Sequence, residues 1–197
     1  MSVLRTLQND EPALHQQCTT VNLEDFNKPE IQKVITDLTD SMRAVGLIAM
    51  AAPQIGYHVQ IFITEIRATE SRPGTELDEL RVYINPEIVN YSEEKVELYE
   101  GCGSVQTPAR FGAVIRPKEI TIKAYDQNGR QFSLTCNGLL ARAIQHEYDH
   151  LQGKEFTNSM QPESELVTPE VFKEKILTKP EHQAATKTTL KEIRFLS

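Results

Sequence analysis

The sequence predicts an α+β fold, with mostly antiparallel sheets packed around a central helix that carries the pattern H-E-x-x-H. Three observations predict it. Residues 28–44 repeat apolar side chains at helical spacing, residues 119–135 alternate them at strand spacing about a turn, and residues 137–152 return to helical spacing. No internal repeat, low-complexity tract or glycine-rich phosphate loop interrupts this order.

In the first of these segments Ile31, Val34, Ile35, Leu38 and Met42 share one face of a helix from Lys28 to Ala44. Asn27 is the expected N-cap, Pro29 suits the first turn, and Gly46 follows the end. Val59 to Ile63 reads as a strand, and Arg67 to Glu79, polar with Pro73 and Gly74, reads as a surface loop. Val82 to Val89 and Lys95 to Tyr99 read as strands. Pro86 cannot donate to a ladder, so it belongs at an edge or a bulge. Ile120, Ile122 and Ala124 face one way and Thr121, Lys123 and Tyr125 the other. Asp126-Gln127-Asn128-Gly129 then turns the chain into Arg130 to Thr135, which makes a hairpin. Asn137 or Gly138 opens the second helix, which buries Leu140, Ile144 and Leu151 and stops at Gly153. Beyond Phe156 the pattern weakens to a short helical candidate from Pro169 to Leu177. We therefore expect a catalytic domain over residues 1–160 and a basic, partly helical extension over 161–197.

At 197 residues the chain can bury a core without disulfides. Three cysteines (Cys18, Cys102, Cys136) are an odd, sparse set that argues against a disulfide framework. The longest apolar run, residues 45–52, is too short to span a bilayer, and no basic-then-apolar leader pattern opens the chain. The expectation is a cytoplasmic protein with no membrane partner. A net charge of −7 disfavours nucleic-acid binding in general, and sequence-specific binding is not expected. The charge is uneven: residues 173–197 hold six Lys/Arg against three Asp/Glu, a basic end suited to RNA or an acidic surface.

The chemistry concentrates in Gln145-His146-Glu147-Tyr148-Asp149-His150-Leu151. On a helix, His146 and His150 lie one above the other and can grip one metal ion, while Glu147 can reach water in an open coordination position. Only five histidines occur in the chain, so a chance pairing at this spacing is hard to credit. A catalytic site needs a third ligand. Cys102, set between Gly101 and Gly103 where backbone can approach closely, is the best candidate; a small buried thiol is the alternative.

Glu100-Gly101-Cys102-Gly103-Ser104 and the histidine segment resemble two motifs of the peptide deformylases, E-G-C-x-S and Q-H-E-x-D-H-L. A third, G-x-G-L-A-A-x-Q, is partly matched by Leu47-Ile48-Ala49-Met50-Ala51-Ala52-Pro53-Gln54. The similarity runs from about Val3 to Phe156. It implies that Cys102, His146 and His150 bind one divalent metal ion, commonly Fe2+ in cells, with Zn2+, Ni2+ or Co2+ also accommodated. It implies Glu147 as acid–base catalyst, and the Gln54 side-chain amide and Gly103 N–H as donors to the oxyanion. The implied substrates are N-formylmethionyl nascent peptides, the products formate and a free amine. The basic tail suggests a contact with the ribosome. Ile48, Ala49, Leu139, Arg142 and Ala143 are the expected substrate-binding positions.

The sequence departs from the pattern at Leu47 and Ala49, which replace glycines, and at Gly103, where leucine is usual. Arg142 occupies a position that is apolar in many bacterial members. Its stem is expected to stack on substrate with the charge in solvent, or it is an exposed helix arginine. Glu100, Asp149 and Arg116 are candidates for a charged network behind the ligands. Two other functions share parts of the pattern: a metallopeptidase, and a non-catalytic deformylase-like binder of N-terminal peptides.

Overall fold

The computed structural model describes residues 3–68, 77–105 and 109–196. Its strands are β1 (Ala49–Ala51), β2 (Ile61–Thr64), β3 (Arg81–Tyr91), β4 (Lys95–Gly101), β5 (Phe111–Pro117), β6 (Glu119–Tyr125), β7 (Gln131–Asn137) and β8 (Lys191–Phe195). Its α-helices are α1 (Pro29–Ala44), α2 (Gly138–Leu151), α3 (Pro169–Lys175) and α4 (Pro180–Thr186). Mixed helices and antiparallel sheets are present, as expected. Six strands form one sheet in the order β1-β2-β3-β6-β7-β8, and β4 and β5 form a separate ribbon.

Strand alternation divides the core. In β2 and β3, Ile61, Ile63, Val82 and Ile84 pack with Val34, Leu38 and Met42 of α1. Their neighbours Phe62 and Tyr83 join Leu140, Ala141, Ile144 and Leu151 of α2, with Ile120, Ile122 and Leu134 of the hairpin. The sheet is therefore covered on both faces where it borders the site.

The helix boundaries follow local chemistry. Lys28, not Asn27, holds the N-cap position of α1, in extended backbone and without a side-chain cap. Proline forces the residue before it out of helical backbone, so Pro29 sets that boundary. Pro86 sits at a register shift between β3 and β6. There Asn85 takes φ +49 and its amide bonds both polar groups of the Val21 backbone, at 2.8 and 2.7 Å. The hairpin keeps continuous register from Glu119↔Asn137 to Tyr125↔Gln131. Asp126 closes its turn by accepting from the Asn128 and Arg130 amides at 2.9 Å.

Strands β1, β5 and β8 and helix α4 were not anticipated from the sequence. Strand β8 pairs with β7, from Cys136↔Lys191 to Phe132↔Phe195, so residues after 160 add a strand to the main sheet. Most of the expected loop from Arg67 to Glu79 lies outside the described residues. Among the described residues, no helix is long and apolar enough to cross a membrane.

Candidate metal centre

Helix α2 spaces His146 and His150 by one turn, and their rings meet edge-on at 5.1 Å. Strand β4 supplies the third group: it ends at Gly101, and the next residue, Cys102, places Sγ 3.2 Å from His150 Nε2. One ligand-type atom from each of Cys102, His146 and His150 lies within 4.8 Å of the others, and all three residues are buried. A thiolate with two imidazoles is a donor set for a borderline-soft divalent ion.

Gln54 lies in a short 3-10 turn, Ala52–Ile55, directly after β1. The Ala51 N–H donates to its Oε1 at 2.8 Å. That bond fixes the amide orientation and leaves Nε2 facing Cys102 Sγ at 3.4 Å and Ser104 Oγ at 3.3 Å. The Gly103 carbonyl is held by the Gln8 side-chain amide at 3.1 Å.

Behind the ligands, Glu100 collects three cationic or donor partners. Arg116 forms a fork to it at 2.6 and 3.0 Å, Arg142 Nη1 donates at 2.8 Å, and His146 Nδ1 lies 2.9 Å away. Arg116 also reaches Asp149 at 2.7 Å. The expected network of Glu100, Asp149 and Arg116 therefore exists, and Arg142 belongs to it. A carboxylate on the far ring nitrogen fixes the His146 ring and leaves its other nitrogen for the centre.

The electrostatics follow from burial and partners. Burial works to raise the Glu100 pKa, but His146 and Arg116 outweigh it and hold the group well below the usual carboxylate range. For Glu147 burial prevails over the His146 charge and the Ala51 backbone hydrogen bond and pushes it up to about 7, and its Oε2 is buried with no hydrogen-bond partner among the described residues. Burial also drives His150 well below its ordinary value, with the His146 and Arg116 charges adding to the effect. For His146 burial acts the same way, but Cys102 and Glu100 reverse it and raise the pKa.

All the expected site residues meet here. Gln54, Cys102, Gly103, His146 and Glu147 line one cleft together with Ile48, Ala49, Leu139, Arg142 and Ala143. His150 is fully buried beneath it. Arg142 corrects both expectations for it, because it is 5% exposed and its charge does not reach solvent. Nη1 also donates to Val114 O at 3.0 Å and Nη2 to Val96 O at 2.7 Å. A planar guanidinium carries five donors, and the ribbon offers acceptors in matching places. Tyr99 also lines the cleft and was missed; its place depends on the β4–β5 pairing, which the sequence does not display.

Taken together, a buried cysteine–imidazole donor set, a buried glutamate beside it with a free oxygen and an oriented amide across it define a metal-dependent hydrolase. Comparison with known proteins narrows the class. The polypeptide deformylase family model matches residues 3–165. Peptide deformylase 1 of Ralstonia nicotianae is 38% identical over 162 residues, spanning 82% of this chain and 89% of its own. The peptide deformylase of Thermomicrobium roseum is 37% identical over 169 residues, spanning 84% and 90%. A class I type b peptide deformylase from Acinetobacter baumannii, solved bound to Met-Ala-Ser, superposes with a TM-score of 0.77 at 26% identity, covering 81% of this chain and 99% of that one. Peptide deformylase from Ehrlichia chaffeensis, in complex with actinonin, gives 0.72 at 34% identity, covering 82% and 91%. The chain belongs to the polypeptide deformylase family, metal-dependent hydrolases that remove the N-formyl group from nascent peptides.

Proposed function

We propose that Cys102, His146 and His150 hold one divalent metal ion and that the cleft above them deformylates N-formylmethionine at the start of new polypeptides. The observation that carries this reading is the convergence of three buried donor atoms from two separate elements within 4.8 Å. A bound ion supplies Lewis acidity, lowering the pKa of water and polarising the formyl carbonyl.

The remaining roles fall to the chain. Glu147, buried beside the ligands, takes a proton from the attacking water and returns it to the leaving amine. Gln54 Nε2, oriented by the Ala51 N–H, donates to the developing oxyanion, and the Gly103 N–H is the second donor. Ile48, Ala49, Leu139 and Ala143 form an apolar wall for the methionine side chain, to which Arg142 lends its stem. The products are formate and a free N-terminal amine.

The donor set suits Zn2+, Ni2+ and Co2+ as well as Fe2+, and Fe2+ is our assignment for the cell. The cytoplasm is the compartment where formylated chains emerge. Exposed Lys173, Lys175, Lys179 and Lys187 give residues 173–197, where six Lys/Arg face three Asp/Glu, a basic surface for the ribosome. We assign the reacting groups to a catalytic domain over 1–160, with the extension over 161–197 packed against it.

Formate release tests the reading. Protein loaded anaerobically with Fe2+, Ni2+ or Co2+ is expected to turn over formyl-Met peptides. Glu147→Ala should lose at least about 100-fold in turnover while keeping one metal per chain. No formate from any loaded form would overturn the proposal.

A further inference from the structure

The family match ends at residue 165, yet the chain continues into α3, α4 and β8. The first of these elements packs a ring behind the wall of the site. Phe172 of α3 is 7% exposed and stacks on Phe111 of β5 with centroids 4.2 Å apart and planes parallel within 1°. Tyr99 of β4 lies 6.4 Å from the same ring, and His182 of α4 meets it edge-on at 5.7 Å. The contact is fixed by backbone as well, because Phe111 and Val167 exchange two hydrogen bonds, at 3.0 and 2.8 Å.

Phe111 in turn bears on the strand that leads to the metal centre. It pairs across the ribbon with Gly101, and a Cβ on Gly101 would lie 2.5 Å from its ring. Tyr99 and Gly101 both line the cleft, and Cys102 follows. The start of α2 is held similarly. The chain after α4 runs against Gly138, where the Lys187 carbonyl leaves no room for a Cβ, and Leu139 of the cleft comes next. Asn137 Oδ1 secures that passage by accepting from the Thr189 and Leu190 amides at 2.8 and 2.9 Å.

Among the described residues the segment lines none of the cleft itself, but it packs behind the wall on β4 and against the residue before Leu139 on α2. Strand geometry says which part of a substrate is concerned. Three residue steps along extended chain take Tyr99 to Cys102, roughly 10 Å. An extended peptide covers about 3.3–3.6 Å per residue. A substrate with its formyl carbon at the metal centre therefore reaches Tyr99 with the residues after its methionine.

We propose that Phe172, from the segment beyond the family match, is a positioning residue for the peptide part of the substrate. It sets Tyr99 and Phe111 against the strand that leads to Cys102, and so shapes the wall that receives the second and third residues of a formylated chain with apolar side chains there. This inference rests on the deformylase reading.

The test is steady-state kinetics of the metal-loaded full chain on two substrates, formyl-methionine amide and a formyl-Met tripeptide with apolar second and third residues. Phe172→Ala should raise KM for the tripeptide about tenfold and for the amide no more than about twofold, with metal content unchanged. Phe172→Leu, which keeps apolar bulk without the ring, should lie between. Tyr99→Ala, at the wall itself, should show the same dependence on length and serves should Phe172→Ala fail to fold. A loss common to both substrates, or an unchanged tripeptide KM, overturns the proposal. Absence of turnover by the wild-type chain on either substrate counts against the deformylase reading instead.

Discussion

The six-stranded sheet and the β4–β5 ribbon are held together by different forces, and the metal centre lies where they meet. The sheet is clamped by two apolar layers, under α1 and α2, built from fully buried residues such as Leu38, Ile63, Phe62 and Ile144. The ribbon has a much smaller apolar cluster, with Cys102, Val105, Val114 and Phe156 its buried members. Its tie to α2 is ionic: Glu100 with Arg116, Arg142 and His146, and Arg116 with Asp149. Apolar burial is strong and non-directional, whereas a buried ion network adds little net stability but demands one geometry. One region therefore supplies stability, and the other places the cysteine opposite the histidines.

The largest stability effect should come from the apolar side. Leu38→Ala removes a fully buried side chain from the α1 layer and is expected to cost about 3 kcal/mol in urea unfolding. Metal affinity and turnover of the folded fraction should stay as in the wild type. A fall in metal affinity would show that the two regions are not separable.

Arg142→Leu probes the other side. Glu100 keeps Arg116, but the Val96 and Val114 carbonyls lose a donor, so a smaller loss of about 2 kcal/mol is expected. Here metal affinity should also fall, by about tenfold in competition with a chelator, because Glu100 holds the His146 ring. The contrast lies in the ratio of the two effects. Equal destabilisation with unchanged affinity would reduce the ionic brace to a packing element.

The same division explains what the sequence disclosed. Helices α1 and α2 and the β6–β7 hairpin were legible because each buries one face, and periods of 3.6 and 2 follow directly. Strand β1 was hidden because Ala49, Met50 and Ala51 are all buried and show no alternation. Strand β8 was hidden because all five of its residues are exposed, so no buried face marks them, and its partner β7 lies far back in the chain. In the site, His146, Glu147 and His150 announced themselves by spacing and Cys102 by its setting between two glycines, while Gln54 needed the family resemblance. Arg142 was misplaced since its partners sit on β4 and β5, 42 and 28 residues away in sequence.

The smallest effect is expected at β8, which joins the apolar sheet yet carries an ionic tie of its own. Asp78 accepts from Arg81 at 2.7 and 3.0 Å and from Lys191 of β8 at 2.6 Å. Burial works to raise the Asp78 pKa, but the two cations prevail and the carboxyl is held below its ordinary value. A depressed carboxylate contributes stability above its unfolded pKa of about 3.9, and that contribution disappears as pH falls through the lower folded value. Lys191 is 40% exposed, so solvent screens the pair, and Lys191→Met should cost less than about 1 kcal/mol near neutral pH. The gap between variant and wild type in thermal unfolding should close below about pH 4 and shrink in high salt. A gap that survives both treatments would mean that the lysine stem, packed along the strand, holds β8 in place. The last strand would then belong with the apolar sheet in mechanism as well as in topology.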